Sequence, residues 1–537
     1  MNYEKRVFIL YCAIVVVSSV LLARLYNLST PDKNESMAVL DGQYTGKIEV
    51  CERGGFVYDR NGYLLSHDLT GQIALVNPAE CTDAFSCAET LSAAAVTANS
   101  SDIYERIIEG IPFTVTLGKM EPESLPEGVS MFDFFEENNC TAKHFLGYNN
   151  ADGRGVSGLR REYDVFLNRE LYSKVVASFD TNAKRESLSS FEIDTEKYLS
   201  DDGVVTTLDK DVQSFVDRLC KDIPSGAVVV AESPTGNILA MSSYPQYDVE
   251  NLSELLDSDR GELVNRAVMS FTPGSVFKIV VAAAALEENG EYFNYKYTCE
   301  GRIKVGEDIF HCHEHSGHGE IDMSEAFSES CNTYFINLGQ LLGLEKILEM
   351  MKILELDKPS AADFVKEGSN FFPDIQNTSE GYLANISFGQ GELCLSPLDM
   401  TRCIIAATSG FLPPLSTVSG VIRGGEYTPC EREKTKRVLD EKVCEKIRIM
   451  MEKCVKEGTG KGAQTEKAKV GGKTATAQTG RFNENGVEYV HKWFCGVYTG
   501  EKSDISVCVL IDDVTDENLS PSVIFSQICS FLQEKGF

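Results

Sequence analysis

A chain of 537 residues is longer than one typical domain and predicts two or three folded units. Hydrophobic (43%) and charged (24%) fractions are those of a globular protein, and a net charge of −31 argues against nucleic-acid binding, because neutralising phosphates needs a basic surface. Seventeen scattered cysteines, an odd number without a repeated CxxC spacing, exclude a small disulfide scaffold.

In chain order, the first feature is an uncharged, mostly apolar run from Val7 to Ala23, with Lys5 and Arg6 before it and Arg24 after it. It sits at the lower limit of a spanning helix, which needs roughly 17–25 residues. No small-residue cleavage site follows, so the expectation is an uncleaved anchor over 7–25, a short cytoplasmic stretch over 1–6 and the remainder outside the membrane. Residues from about 30 to 200 are polar and irregular. Within them CERGGFVYDRNGYLLS (51–66) predicts strand, turn, strand, with Asn61-Gly62 favouring positive φ, and residues 81–140 predict helix in patches.

Near residue 204 the texture changes. VVTTLDKDVQSFVDRLCKDI predicts a strand running into an amphipathic helix, with Val212, Phe215, Val216 and Leu219 at helical spacing. GAVVVAESPTGNILAMSSYP (226–245) predicts a hairpin, and 469–480, 492–500 and 504–513 predict three more strands. A last helix over 520–536 has Ser520 as cap and Pro521 at its first position. Two early strands, three late ones and helices between them predict an α+β domain: one antiparallel sheet covered by helices.

Three short motifs carry candidate chemistry. In FTPGSVFKIV (271–280), Ser275 and Lys278 stand three apart at the mouth of a helix, on one face. A serine hydroxyl becomes a nucleophile when a base takes its proton, and a lysine serves if burial or a nearby cation lowers its pKa. Taken alone, the pair fits a capping serine and a solvated lysine equally well. In SESCNTYF (328–335), Ser330 and Asn332 flank Cys331 and either relay a proton and hold substrate or simply open a helix. In GGKTATAQTG (471–480), strand alternation puts Lys473 on one face and Thr474 and Thr476 on the other, where an edge strand can grip an extended peptide and its carboxylate.

S-x-x-K, a second serine motif and K-T-G in this order mark serine β-lactamases and penicillin-binding proteins. The chain resembles that family, specifically the class B penicillin-binding proteins. PGSVFK, ERGGFVYDRNGYLL, GRGVSGLRREYD, TTLDKDVQ, AVVVAESPTGNILAMSSYPQYD and FGQGELCLSPLDMTR resemble family segments, so the likeness runs from about residue 50 to the end. It implies the penicillin-binding transpeptidase fold, a five-stranded antiparallel sheet flanked by helices, over 204–537. It further implies an N-terminal pedestal of dimerisation type over 26–203 and one transmembrane helix. The implied function is peptidoglycan D,D-transpeptidation in the bacterial cell membrane, with the catalytic domain extracytoplasmic. Ser275 would be the nucleophile, Lys278 its base, Ser330 the relay, Asn332 a substrate ligand, and Lys473, Thr474 and Thr476 the carboxylate site. Stem peptides and β-lactams are the implied ligands, and a polytopic glycosyltransferase the implied partner.

The chain departs from the family at two places. Ala475 replaces the usual glycine of K-T-G, and an altered β-lactam affinity is expected from its methyl. HCHEHSGHG (311–319) holds four of the chain's seven histidines. With Cys299 and Cys312, the residues His311, His313, His315 and His318 are zinc-ligand types, although no standard finger spacing matches, and some class B relatives resemble this in carrying a metal near the site. A polar loop without cofactor and a Cys299–Cys312 disulfide are the other readings. Competing functions are a β-lactam sensor, disfavoured by the six residues before the apolar run, a secreted β-lactamase, disfavoured by length, and a catalytically weak scaffold of a wall-synthesis complex.

Overall fold

The computed structural model describes Val15, residues 17–21, Arg24, and residues 45–51, 53–118, 120, 125–137, 141–150, 152–168, 175–180, 192–194, 200–255, 258, 260–365, 370, 372–374, 376, 379–515 and 519–537. Most of the expected anchor therefore lies outside the described residues. Its described part is helical with Val15, Val17, Val20 and Leu21 exposed, and among the described residues no helix is long and apolar enough to cross a membrane.

Two compact units emerge. The first takes in the described residues of 1–53, 69–136 and 173–199. In it, strand His67–Val76 lies between strands Phe113–Leu117 and Val129–Glu137. Helices Ala84–Ala94 and Ser100–Glu109 bury Cys87, Leu91, Ile103 and Ile107 against Ala74, Val76, Phe113 and Val115. Asp83 and Asn99 cap these helices through side-chain oxygens, which satisfies amide groups the first turn leaves orphaned.

The second unit takes in 54–68, 137–172 and 200–537, so two segments that sequence order puts in the N-terminal region pack with the later chain. Strand Phe56–Tyr58 runs parallel to Gly203–Thr206. After it comes a turn closed by a single Tyr58–Leu64 bridge, in place of the strand–turn–strand expected over 51–66. The reason is Asp59. Its buried carboxylate accepts from the backbone of Asn61 (2.7 Å) and Tyr63 (2.8 Å), taking amides that a returning strand would have used. The glycines of the two early motifs serve close approach: a Cβ on Gly55 would lie 1.8 Å from the Phe166 carbonyl oxygen.

The central sheet has five strands, β1 (Gly226–Ser233), β2 (Ile238–Tyr244), β3 (Lys469–Phe482), β4 (Glu488–Thr499) and β5 (Asp504–Val514), in the order β2-β1-β5-β4-β3. Every neighbouring pair is antiparallel. Alternation sorts the side chains to two faces. Trp493, Cys495, Val497, Cys508 and Leu510 pack with helices α2 (Lys278–Glu288), α3 (Met323–Ser328), α4 (Asn332–Leu342), α5 (Pro397–Ser409) and α6 (Glu441–Lys456). Phe494, Val507, Val509 and Ile511 pack with α1 (Lys210–Leu219) and α7 (Pro521–Glu534), whose Phe215 and Phe531 rings stack at 4.1 Å. Burial on both faces is why the strands read as continuous apolar runs. It leaves β3 at an edge, with one side of its backbone open.

One buried histidine gives this unit a pH dependence. His144 Nε2 meets the Glu262 carbonyl oxygen at 2.7 Å, and its ring stands edge-on to Tyr247. Burial pulls its pKa down from 6.5 to about 4. Between those values the unfolded chain binds a proton that the folded chain refuses, so stability falls as pH drops from 6.5 towards 4 and is indifferent to this group above that window. The expected loss is on the order of 3 kcal/mol. Urea unfolding of the wild type and His144→Gln between pH 4 and 7 checks it: the difference between their stabilities should slope in that window and level off above it.

Candidate active site

The stretch around Ser275 is a tight turn before it is a helix. Gly274 takes φ +55, Gly274–Phe277 forms a 3₁₀ turn, and the α-helix begins at Lys278. The Lys278 amide donates to the Ser275 carbonyl. Residues i and i+3 eclipse in such a turn, which aligns Ser275 with Lys278 more directly than the α-helical first turn expected there. Three contacts clamp the turn. Gly274 N–H donates to Gly389 O (2.8 Å), Phe271 and Leu395 pair through both backbone bonds at 2.9 Å, and Trp493 Nε1 donates to Thr272 O (3.1 Å). The GQG segment has to be bare at this contact: a Cβ on Gly389 would lie 2.0 Å from Gly274 O.

Lys278 is fully buried. Its Nζ donates to Ser330 O (2.7 Å), Asn332 Oδ1 (2.8 Å) and, less closely, Ser330 Oγ (3.3 Å), and lies over the Phe335 ring. Burial holds its pKa well below 10.5, and the Lys473 charge pushes the same way. Ser330 sits between α3 and α4 at φ +57, a left-handed conformation that costs a non-glycine residue about 1–3 kcal/mol. Amide bonds from Ser330 to Phe327 O and from Cys331 to Ala326 O hold it there.

On β3, Lys473 is fully buried. Its Nζ donates to Thr474 O (3.0 Å), lies over the Phe327 ring, and has its pKa lowered by burial. Thr476 is exposed and Thr474 partly so, on the opposite face of the strand. Ala475 falls on the inward face with Lys473 and Ala477, 6% exposed. A Cβ on Gly274 would lie 3.4 Å from its methyl, so that methyl packs beside the Ser275 turn. A cleft of about 470 Å³ brings Ser275, Ser330, Asn332, Thr474 and Thr476 together, with His313 and Thr459 on its walls. A depression of about 580 Å³ elsewhere, lined by Asp59, Arg60, Lys210, Glu232 and others, holds paired charges such as Arg60–Glu232 and no nucleophile beside a buried base.

The histidine loop resolves into a four-residue cluster. Cys299, Cys312, His318 and Cys331 put their ligand atoms within 4.8 Å of one another. His311, His313 and His315 are exposed and outside it, and Cys299 and Cys312 are free thiols, not a disulfide. The sequence reading missed Cys331 as a member because it looked only along the loop; a cysteine between Ser330 and Asn332 was the available signal. His318 Nδ1 is 3.4 Å from Cys299 Sγ and 3.6 Å from Cys312 Sγ, and Cys312 Sγ is 3.8 Å from Cys331 Sγ. A tetrahedral zinc ion with ordinary bond lengths separates sulfur from nitrogen by about 3.6 Å and sulfur from sulfur by about 3.8 Å. The hydrogen bond with Cys331 holds the Cys312 thiol well below the ordinary range and pushes that of Cys331 up. The donor set and its spacing fit zinc. A second group, His491, Asp512 and Asp513, already has Arg266 against Asp512 and Arg481 against Asp513.

A family model described as the penicillin binding protein transpeptidase domain matches residues 226–530. The chain is 27% identical over 472 residues to stage V sporulation protein D of Bacillus subtilis (strain 168), a match covering 80% of this chain and 70% of that one. It is 26% identical over 462 residues to the probable peptidoglycan D,D-transpeptidase FtsI of Caulobacter vibrioides, covering 82% and 72%. Among solved structures, penicillin binding protein 3 of Mycobacterium tuberculosis complexed with aztreonam superposes with a TM-score of 0.65 at 21% identity, over 91% of this chain and 97% of that one, which speaks to the fold. The chain belongs to the penicillin-binding protein transpeptidases, and within them to class B.

Proposed function

We propose that the protein is a peptidoglycan D,D-transpeptidase of cell wall synthesis that cross-links stem peptides through an acyl-enzyme on Ser275. The observation carrying this is the fully buried Lys278 ammonium, held between Ser330 and Asn332 at the foot of the Ser275 turn. Ser275 Oγ attacks the carbonyl between the last two D-alanines, and Lys278 in its neutral form takes the hydroxyl proton. The amides of Ser275 and Thr476 stabilise the oxyanion. The proton passes by way of Ser330 to the departing D-alanine, Asn332 holds the donor peptide, and Lys473, Thr474 and Thr476 hold the terminal carboxylate. The amine of a neighbouring stem then attacks the ester, forming the cross-link and returning Ser275. β-Lactams acylate the same serine. Release of D-alanine from a stem pentapeptide, with a cross-linked dimer as product, tests this; a protein that takes up penicillin and releases no D-alanine would be the weakly catalytic scaffold instead.

The apolar run Val7–Ala23 between basic flanks supports a single-pass anchor over 7–25 in the bacterial cell membrane, with 1–6 cytoplasmic and the catalytic domain outside. We assign the pedestal to 26–203 and the transpeptidase domain to 204–537, with 54–68 and 137–172 packed into the latter's unit. A polytopic glycosyltransferase is the proposed partner of the anchor and pedestal.

We also propose that Cys299, Cys312, His318 and Cys331 hold one zinc ion. Bound there, the metal would supply a structural cross-link between the 299–318 loop and the turn carrying Ser330 and Asn332. Elemental analysis of protein purified without chelators is expected to give one zinc per chain, and Cys299→Ser to lose it together with several degrees of Tm. Protein free of metal, at the same Tm with and without added zinc, would end this reading.

A further inference from the structure

Thr474, on the rim of the cleft, has a hydroxyl with one proton to give, and its surroundings decide where that proton goes. Thr459 Oγ1 lies 2.7 Å from Thr474 Oγ1 and 3.3 Å from the Ser328 carbonyl oxygen. Thr459 comes from the Gly458–Gly460 segment that follows α6, and the segment is pressed into place. A Cβ on Gly458 would lie 2.3 Å from Ser328 O, and the amides of Gly458 and Gly460 both donate to Cys454 O. Lys473 Nζ meanwhile approaches Thr474 Oγ1 at 3.4 Å as a donor.

We infer that Thr459 is a positioning residue for recognition of the substrate carboxylate: it donates to Thr474 Oγ1 and so holds that hydroxyl with its proton turned into the cleft for the anion. Counting protons gives the reason. Each threonine hydroxyl gives one hydrogen bond and accepts two. If Thr459 gives its proton to Ser328 O, or to Cys454 Sγ at 3.6 Å, it must accept from Thr474 across the 2.7 Å contact, and Thr474 has nothing left to offer an anion. If Thr459 turns its proton to Thr474, then Thr474 accepts from Thr459 and Lys473 and donates into the cleft. The second arrangement is inexpensive because Ser328 O keeps a partner, the Thr459 backbone amide at 3.1 Å. A carboxylate arriving at Thr474 therefore selects it. No reacting atom touches Thr459; it acts through Thr474.

This inference rests on the transpeptidase reading, in which Thr474 meets the terminal carboxylate. The test uses the full-length protein and two thioester depsipeptides, one ending in a free carboxylate and the other in its methyl ester, with thiol release as readout. Thr459→Val is expected to lower kcat/KM by up to about tenfold on the acid, mainly through KM, because the hydrogen bond that fixes the Thr474 hydroxyl toward the anion is lost. On the ester it should match the wild type, and Thr459→Ser, which keeps the hydroxyl, should match the wild type on both. Equal losses on acid and ester would mean a structural role, and an unchanged acid would mean none; either overturns the inference. Wild-type protein that turns over neither compound would remove the transpeptidase reading and this inference with it.

Discussion

Incubated with a penicillin, the full-length protein should gain the mass of one inhibitor, and Ser275→Ala should gain none. The loss should be complete, because on the proposed mechanism Ser275 is the one cleft hydroxyl that attacks the inhibitor. Thr474 and Thr476 lie on the strand proposed to grip substrate, with the Lys473 ammonium donating to Thr474, and Thr459 hydrogen-bonds Thr474. Of the other cleft serines, Ser330, Ser520 and Ser522, the strongest competitor is Ser330, with its Oγ 3.3 Å from Lys278 Nζ. Its left-handed backbone and its carbonyl bond to the same ammonium tie it down, whereas Ser275 stands at the start of a turn whose backbone is clamped and whose side chain lines the cleft. Intact-protein mass spectrometry of the wild type, Ser275→Ala and Ser330→Ala separates them. An adduct that survives Ser275→Ala and disappears in Ser330→Ala would exchange the two roles, and a wild type without adduct would move the protein to the scaffold reading.

What the sequence disclosed of this site, and what it hid, follows from how each contact is encoded. Ser275 and Lys278 are three residues apart, so a local turn suffices to align them, and a local pattern shows them. Ser330 and Lys473 are visible only because short motifs mark them; nothing in periodicity says that the start of helix α4 and the middle of strand β3 meet at the same cleft. Cys331 shows the limit. Its cluster partners lie on the 299–318 loop, and only tertiary packing brings a residue between two site residues up against that loop. Thr459 was invisible for the same reason: its importance is a 2.7 Å contact to another segment, while locally GTG reads as the end of a helix. The sheet was legible because burial on both faces writes strands as unbroken apolar runs. The turn at Asp59 was misread because a side chain, not the backbone pattern, decides where the amides of Asn61 and Tyr63 go.

Replacing Lys278 by methionine should cost acylation at least about 100-fold, the low end of what a positioned base contributes, while moving Tm by only a few degrees. The side chain is fully buried, and methionine, one heavy atom shorter, fills most of the same channel. Two effects on stability oppose each other. The variant no longer has to desolvate an ammonium beside the Lys473 charge, which favours it. It also strips Ser330 O and Asn332 Oδ1 of their donor, at roughly 1–3 kcal/mol for each oxygen left unsatisfied. Chemistry has no such compensation, because the group proposed to take the Ser275 proton is gone. The pH profile separates a base from a mere anchor. The proposed base is the neutral form of Lys278, and burial has lowered its pKa well below 10.5, so the wild-type acylation rate should climb as pH rises through that lowered pKa and then level off. Lys278→Met should show the residual rate without that rising limb. A variant that keeps the limb would put the base elsewhere, and Lys473, the other fully buried ammonium at the cleft, would be the group to replace next.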